Sequence, residues 1–351
     1  MRNVTSEYLT TSRLKIHYLK TKEDAEVNIF FIHGNASSSI FWKNLLQQLP
    51  KAYNGYALDL RGFGDTEDKI IDATRGMGDF CDDIISFLEA QGIEKAHFVG
   101  HSMGGSAVVY LSAQHPDAVL SLTLVNPGSP FGFGGTKDLN GTPHFDDFAG
   151  SGAGVVNLSF AERISKGDRS EEDPIASPRV VMNTFYWKPP FRPPNEEELL
   201  TGLLSEKIGP DKYPGDSESS ENWPYVMPGV FGPANALSPK YIGNTVEKFI
   251  TNQHKFPVLW IRGDSDQIVS DQSLFDLGTL GKLGAIPEYP GETVYPSQPM
   301  VSQMRKVLQE RFETVQAPFK EIVIEDAGHT PFIEKEEEFC TYFFNFLQNG
   351  L

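Results

Sequence analysis

The chain has 351 residues, with 47 acidic against 30 basic side chains and a formal net charge of −17. That balance, without any cluster of Lys or Arg, excludes nucleic acid as the expected partner, because a phosphate backbone is held by clustered basic groups. Two cysteines are too few for a disulfide framework, and no apolar run approaches the ~18 residues needed to span a bilayer. Cys81 and Cys340 fall in helix-like stretches and read as buried free thiols. Residues 1–7 lack the apolar core of a secretion signal, so a cytoplasmic location is expected.

Residues 8–20 alternate in the manner of a strand and are expected to pair near the N-terminus. Residues 27–32 read as a strand ending in His33-Gly34, 41–49 as a helix and 56–60 as the next strand. Phe80, Ile84, Phe87 and Leu88 fall on one face of a helix over 78–91. An apolar run at 95–99 leads into Gly100-His101-Ser102-Met103-Gly104 and a helix-like stretch reaching His115, followed by a strand at 120–126. Strands alternating with helices predict a mainly parallel sheet covered on both faces. The alternation stops at Pro127-Gly128 and resumes with a strand at 256–262. The residues between are too many for a plain connection. Within them helices are expected near 159–165, 176–187 and 195–205. The glycines at 150, 152 and 154 follow no strand and read as a flexible loop, and 210–222, rich in Pro, Ser and acid, reads as an exposed one. A second insertion over 277–291 precedes a helix at 299–312 and a strand at 321–325.

Gly-x-Ser-x-Gly between a strand and a helix is the context of a nucleophile elbow, a turn so sharp that its flanking residues must be small. A serine hydroxyl there needs a base. His329 follows the strand at 321–325, and an acid follows the strand at 256–262, so both stand at the carboxyl edge where open α/β sheets gather ligands. Spacing alone leaves Asp264 and Asp266 both open as that acid. The other histidines (17, 33, 97, 101, 115, 144 and 254) read as structural. His97 and His101 lie on a strand-to-turn segment rather than one helical face. With no cysteine pair and no His-Glu-x-x-His, no metal site is expected.

Together, His33-Gly34-Asn35, Asp59-Leu60-Arg61-Gly62-Phe63-Gly64, the serine elbow, Gly263-x-x-Asp266 and Gly328-His329 resemble the α/β-hydrolase superfamily. The resemblance implies an α/β fold with a mostly parallel central sheet flanked by helices. The core would comprise 1–128 and 254–351, with a large cap inserted at 129–253. It favours Asp266 over Asp264 and implies Ser102 as nucleophile, His329 as base and Asp266 as the group that orients it. The backbone N–H groups of Met103 and Asn35 would form the oxyanion hole, with Ala36 as second choice to Asn35. Asp59 and Arg61 would shape a loop. Members of the fold that open epoxides or release halide carry Asp at the elbow, so Ser102 points to acyl transfer. The expected enzyme is a serine hydrolase of a carboxylic ester or lactone that needs no cofactor. Other triad chemistry (carbon–carbon bond hydrolase, lyase, perhydrolase or aminopeptidase) and a low-turnover ligand-binding receptor stand as alternatives. Glu196, Glu197 and Glu198, which an aminopeptidase could use to hold an amine, read better as acids opening a helix. Phe131, Phe133 and Trp187 are candidates to bind a small, hydrophobic substrate, although each aromatic can equally belong to the insertion's own core. The sequence leaves the oligomeric state open.

Overall fold

The alternating strands and helices build one eight-stranded sheet in the computed structural model, which describes residues 1–22 and 25–351. Its strands are β1 (Val4–Thr10), β2 (Lys15–Thr21), β3 (Val27–Ile32), β4 (Tyr53–Leu58), β5 (Ala96–His101), β6 (Val119–Val125), β7 (Val258–Gly263) and β8 (Phe319–Ile324). They lie in the order β1-β2-β4-β3-β5-β6-β7-β8. β2 pairs antiparallel with both β1 and β4, and every other neighbouring pair is parallel.

The single strand expected over 8–20 is in fact a hairpin whose ladder runs from Val4↔Thr21 to Thr10↔Lys15. Thr11 makes the turn: its hydroxyl accepts the N–H groups of Arg13 and Leu14. Such local side-chain bonds offer the backbone an alternative to the ladder, and the alternating pattern carries no sign of them.

The inner strands are apolar on both sides, as a covered parallel sheet requires. Phe30, Ile32, Tyr56 and Phe98 face one cluster with α2 (Gly78–Gln91) and α3 (Met103–Gln114). Ile29, Phe31, Ala57 and Val99 face the other, with α1 (Lys43–Gln48). Between β6 and β7, α4 (Leu158–Ser165), α5 (Pro178–Phe185) and α6 (Glu196–Leu203) lie close to where periodicity puts them. Asn157 caps α4 by accepting the N–H groups of Ser159 and Phe160. The apolar faces of these helices, including Ile164, Met182 and Leu200, join the second cluster beside Phe41 and Trp42.

α7 (Thr245–Thr251) behaves differently. It falls inside the 129–253 stretch, yet it packs between α3 and the helix Met300–Val315. Phe249 enters the first cluster, with the buried Arg311 guanidinium 5.0 Å from its ring centre. The inserted chain has therefore rejoined the layer that covers the sheet before β7 begins.

Two expectations about the insertion are corrected. Residues 210–222 are not an exposed loop throughout. Ile208–Gly209 pairs with Tyr213–Pro214, and the Tyr213 ring is buried. Ser217–Ser219 is exposed and pairs with Val226–Pro228. The Pro- and acid-rich composition hides the one aromatic that anchors this stretch. Nor do the glycines at 150 and 152 form a flexible loop: both are buried, Gly150 against the Tyr295 ring and Gly152 against Asn235 and Pro228. Cys81 and Cys340 are buried and free. Among the described residues no helix is long and apolar enough to cross a membrane.

Candidate active site

β5 delivers Ser102 into the turn that opens α3. Ser102 has φ 53° and ψ −120°, a conformation that costs a residue with a side chain and persists where its surroundings enforce it. Its N–H is held by the Val125 carbonyl at 3.1 Å. The turn closes because its neighbours lack side chains. A Cβ on Gly34 would lie 2.8 Å from the Ser102 Cβ, and one on Gly104 would lie 2.3 Å from the Ile32 carbonyl oxygen. Gly104→Ala should therefore destabilise the fold by about 1–3 kcal/mol, read as a lower urea midpoint.

Asp266 and His329 follow β7 and β8 and meet in the folded chain. The His329 Nδ1–H donates to Asp266 Oδ2 at 2.8 Å, and both residues are buried. The same carboxylate oxygen accepts from Asn126 Nδ2 at 2.6 Å. Oδ1 takes the N–H groups of Ile268 and Val269 at 2.8 and 3.0 Å. Asp264, the other acid that spacing allowed, is exposed and accepts from its neighbour Ser265. The histidine loop is joined to the elbow one residue from Ser102: His101 Nε2–H donates to the His329 carbonyl at 2.9 Å, with the two rings 4.6 Å apart. Burial, reinforced by His329, holds the His101 ring neutral.

Asn126 is the residue that sequence reasoning missed. It follows β6 with φ 41°, and its side chain bridges the Asp266 carboxylate and the Gly263 N–H. The available signal was a lone amide closing an apolar strand at the carboxyl edge. Asn126→Ala should cost about 1.5–3 kcal/mol, the range for a hydrogen bond to a charged group, measured by denaturant unfolding.

The two oxyanion candidates flank this corner. Met103 is the first residue of α3, where a backbone N–H has no partner within its helix. Asn35 follows Gly34, is half-buried, and turns its side-chain amide toward the Tyr213 hydroxyl. Ala36, the second choice, has φ 45°, and its carbonyl accepts from Tyr186 Oη at 2.8 Å. His33 is built in as a strut: Nδ1–H donates to the Gly34 carbonyl, Nε2 accepts the Leu60 N–H, and burial lowers its basicity. Asp59 accepts the N–H groups of Ser39 and Asp65 and the Nδ1–H of His17. Burial opposes its charge, yet these partners hold the carboxyl below its usual range. Arg61 grips Asp83 with two bonds of 2.8 Å.

The structure does not bring the three candidate substrate aromatics together. Phe131 packs against the first cluster, while Trp187 is fully buried in the second. The N–H of Phe133 is tied to the Leu237 carbonyl. The Trp187 backbone touches Gly328, beside His329. A groove of about 420 Å³ lies alongside α5, lined in part by Val180, Asn183, Phe191 and Arg192, and none of Ser102, Asp266 and His329 lines it. Ligand atoms of Cys81, Asp82 and His115 lie within 4.8 Å of one another at the far end of α3 from Ser102. Burial pushes the Cys81 thiol up to about 12, and Asp82 is already paired with Arg75 at 2.5 Å, so this group is not prepared for a metal.

A family profile described as alpha/beta hydrolase fold matches residues 27–164. The ligand-free epoxide hydrolase CorEH superposes with a TM-score of 0.60 at 18% identity, over 99% of this chain and 99% of its own. The carboxylesterase CesB (YbfK) from Bacillus subtilis gives 0.58 at 15% identity, over 99% and 93%. The chain has the α/β-hydrolase fold. Over 139 residues the chain is 33% identical to the dihydrolipoyllysine-residue acetyltransferase component of the acetoin cleaving system of Cupriavidus necator. That stretch is 40% of this chain and 36% of that protein. The aligned stretches span about a third of the length of the curated relatives, which also include epoxide hydrolase 4 of Homo sapiens.

Proposed function

We propose that this α/β hydrolase cleaves a carboxylic ester or lactone through an acyl-enzyme on Ser102. The observation that carries the reading is the buried His329–Asp266 pair at 2.8 Å, joined through His101 to the loop that presents Ser102. His329 would take the Ser102 proton as the hydroxyl attacks the carbonyl, then return it to the leaving alcohol. Asp266, bonded to Nδ1, would keep Nε2 free to accept and would stabilise the imidazolium. The N–H groups of Met103 and Asn35 would receive the oxyanion. A serine at the elbow supports acyl chemistry over the epoxide opening named for some relatives, and the carboxylesterase of the same fold is compatible with it. The substrate would be a small, hydrophobic ester or lactone covered by a cap, and we take that cap to run from residue 129 to the start of α7. Of the candidate aromatics, Trp187 is retained as a wall beside the histidine loop.

The test is labelling of Ser102 by a fluorophosphonate, followed by turnover of p-nitrophenyl esters of graded chain length beside lactones of matched size. Labelling confined to Ser102, with turnover of at least one ester or lactone, is the expected result. An unlabelled serine in the folded protein would sink the reading.

A further inference from the structure

The chain that leaves α5 does more than cover the site. α5 ends at Tyr186, whose N–H closes the last turn on the Met182 carbonyl. A carbonyl at a helix end has no partner within its helix. The Tyr186 carbonyl finds two on Thr330, the residue after His329: the N–H and the hydroxyl each donate to it at 2.7 Å. At the other end of the residue, the Tyr186 hydroxyl donates to the Ala36 carbonyl at 2.8 Å. A carbonyl only accepts, so the direction of that bond is fixed. The ring between these two ends is buried, 6.5 Å from the His329 ring and 6.0 Å from the Phe41 ring. The following residues strengthen the first contact. The Lys188 and Gly328 N–H groups donate to the two oxygens of the Glu334 carboxylate, at 2.9 and 2.6 Å. The Trp187 backbone lies where a side chain on Gly328 would stand, since a Cβ there would be 2.8 Å from the Trp187 Cα.

We propose that Tyr186 is a positioning residue: its carbonyl holds the loop that carries His329, its hydroxyl holds the loop that carries Asn35, and the ring between them sets the span. The proposal rests on the serine-hydrolase reading only for its consequence in turnover; the tie itself is a statement about the two loops. Each bond falls one residue past a member of the candidate site, on Thr330 after His329 and on Ala36 after Asn35. The peptide unit that follows His329 is held from both sides. Its carbonyl accepts from His101, beside Ser102, and its N–H donates to Tyr186. Ala36 has φ 45°, a conformation that alanine keeps only where its surroundings enforce it. Without the Tyr186 hydroxyl, that residue is free to relax, and the Asn35 N–H turns with it.

An inserted segment that only roofed the site could swing away from it. Residues 186–188 cannot do so without releasing the base and an oxyanion donor together, so opening to admit substrate is confined to the chain on either side of them. The polar atoms of Tyr186 are taken by Thr330, Ala36 and Met182, which leaves none to grip a substrate. Its loss should therefore act on kcat and kcat/KM alike, the pattern for an interaction that matters in the transition state and not in the bound ground state.

The experiment compares wild type, Tyr186→Phe, Thr330→Val and a control, Tyr53→Phe. The readouts are hydrogen exchange of the peptides covering residues 33–40 and 326–333, and kcat and KM on p-nitrophenyl butyrate. The control loses the same kind of bond at the opposite edge of the sheet: Tyr53 opens β4, and its Oη donates to the Leu347 carbonyl at 2.8 Å. Tyr186→Phe should exchange faster over 33–40 and lose about 10–100-fold in kcat, since a misplacement near 1 Å can cost that much, with KM little changed. Thr330→Val should exchange faster over 326–333 and also lose kcat. Tyr53→Phe should keep both peptides and kcat as in wild type. Unchanged exchange over 33–40 in Tyr186→Phe overturns the tie whether or not Ser102 is catalytic. Faster exchange there with kcat unchanged, a rise in KM alone, or an equal loss of kcat in Tyr53→Phe overturns the positioning role. If Tyr186→Phe does not fold, Thr330→Val decides by the same measurements on its own peptide. Ser102 labelling in wild type reports separately on the hydrolase reading.

Discussion

Ser102→Ala should abolish ester turnover while leaving the fold in place. In triad hydrolases, removal of the serine alone costs about 10⁶ in kcat, and the same order is expected here from whichever ester the wild type turns over fastest. The elbow should survive the change. Its shape is set by the Ser102 N–H bond to Val125, by the bonds of Gly105 and Ser106 to the Ser102 carbonyl, and by the absence of side chains at Gly34 and Gly104. None of these involves the hydroxyl. A circular dichroism melt matching wild type, together with lost fluorophosphonate labelling, is the expected pair of results. Retained turnover would be evidence that another group attacks the substrate.

Asp266→Asn should cost about 10⁴ in kcat, the loss expected when the histidine is held in the wrong tautomer. The hydrogen bonds show why. The Ile268 and Val269 N–H groups both point at Oδ1, so the carbonyl oxygen of an asparagine would turn toward them. Its NH2 would then face His329 Nδ1 and Asn126, both of which donate in the native chain. His329 could accept that bond only by moving its proton to Nε2, and Nε2 could then no longer accept a proton from Ser102. Asp264→Asn is the control. Asp264 is exposed and bonded to its neighbour, so kcat should stay within about twofold, as for most surface changes. Equal losses from the two variants would remove Asp266 from its assigned role.

Much of the frame was legible because a parallel sheet writes itself into sequence as apolar runs between amphipathic helices. β3, β5, β6 and β7 each appear within a residue or two of where the runs place them, and α2 spans the predicted 78–91. The carboxyl-edge loops were legible because their glycines and acids stand at fixed places after those runs. What spacing alone could not separate was Asp264 from Asp266: they are two residues apart, and the resemblance favoured Asp266, while in the folded chain Asp264 is exposed and Asp266 is buried against His329. Asn126 escaped because its partners lie 137 and 140 residues away. The candidate aromatics show how little composition says about place. Phe131 and Trp187 share a residue class and an insertion, yet they settle on different clusters.

The placement of α7 bears on how new specificities can be engineered into this scaffold. Because that helix is wedged between α3 and the Met300–Val315 helix, the sequence from residue 129 to 244 is a detour that leaves and re-enters a rigid chassis at two firmly rooted points. A designer who exchanged the stretch around α4 to α6 while keeping both roots would have to refill the second cluster, which Ile164, Met182 and Leu200 help to build. β7, which ends just before the loop that carries Asp266, would then stay in register between β6 and β8.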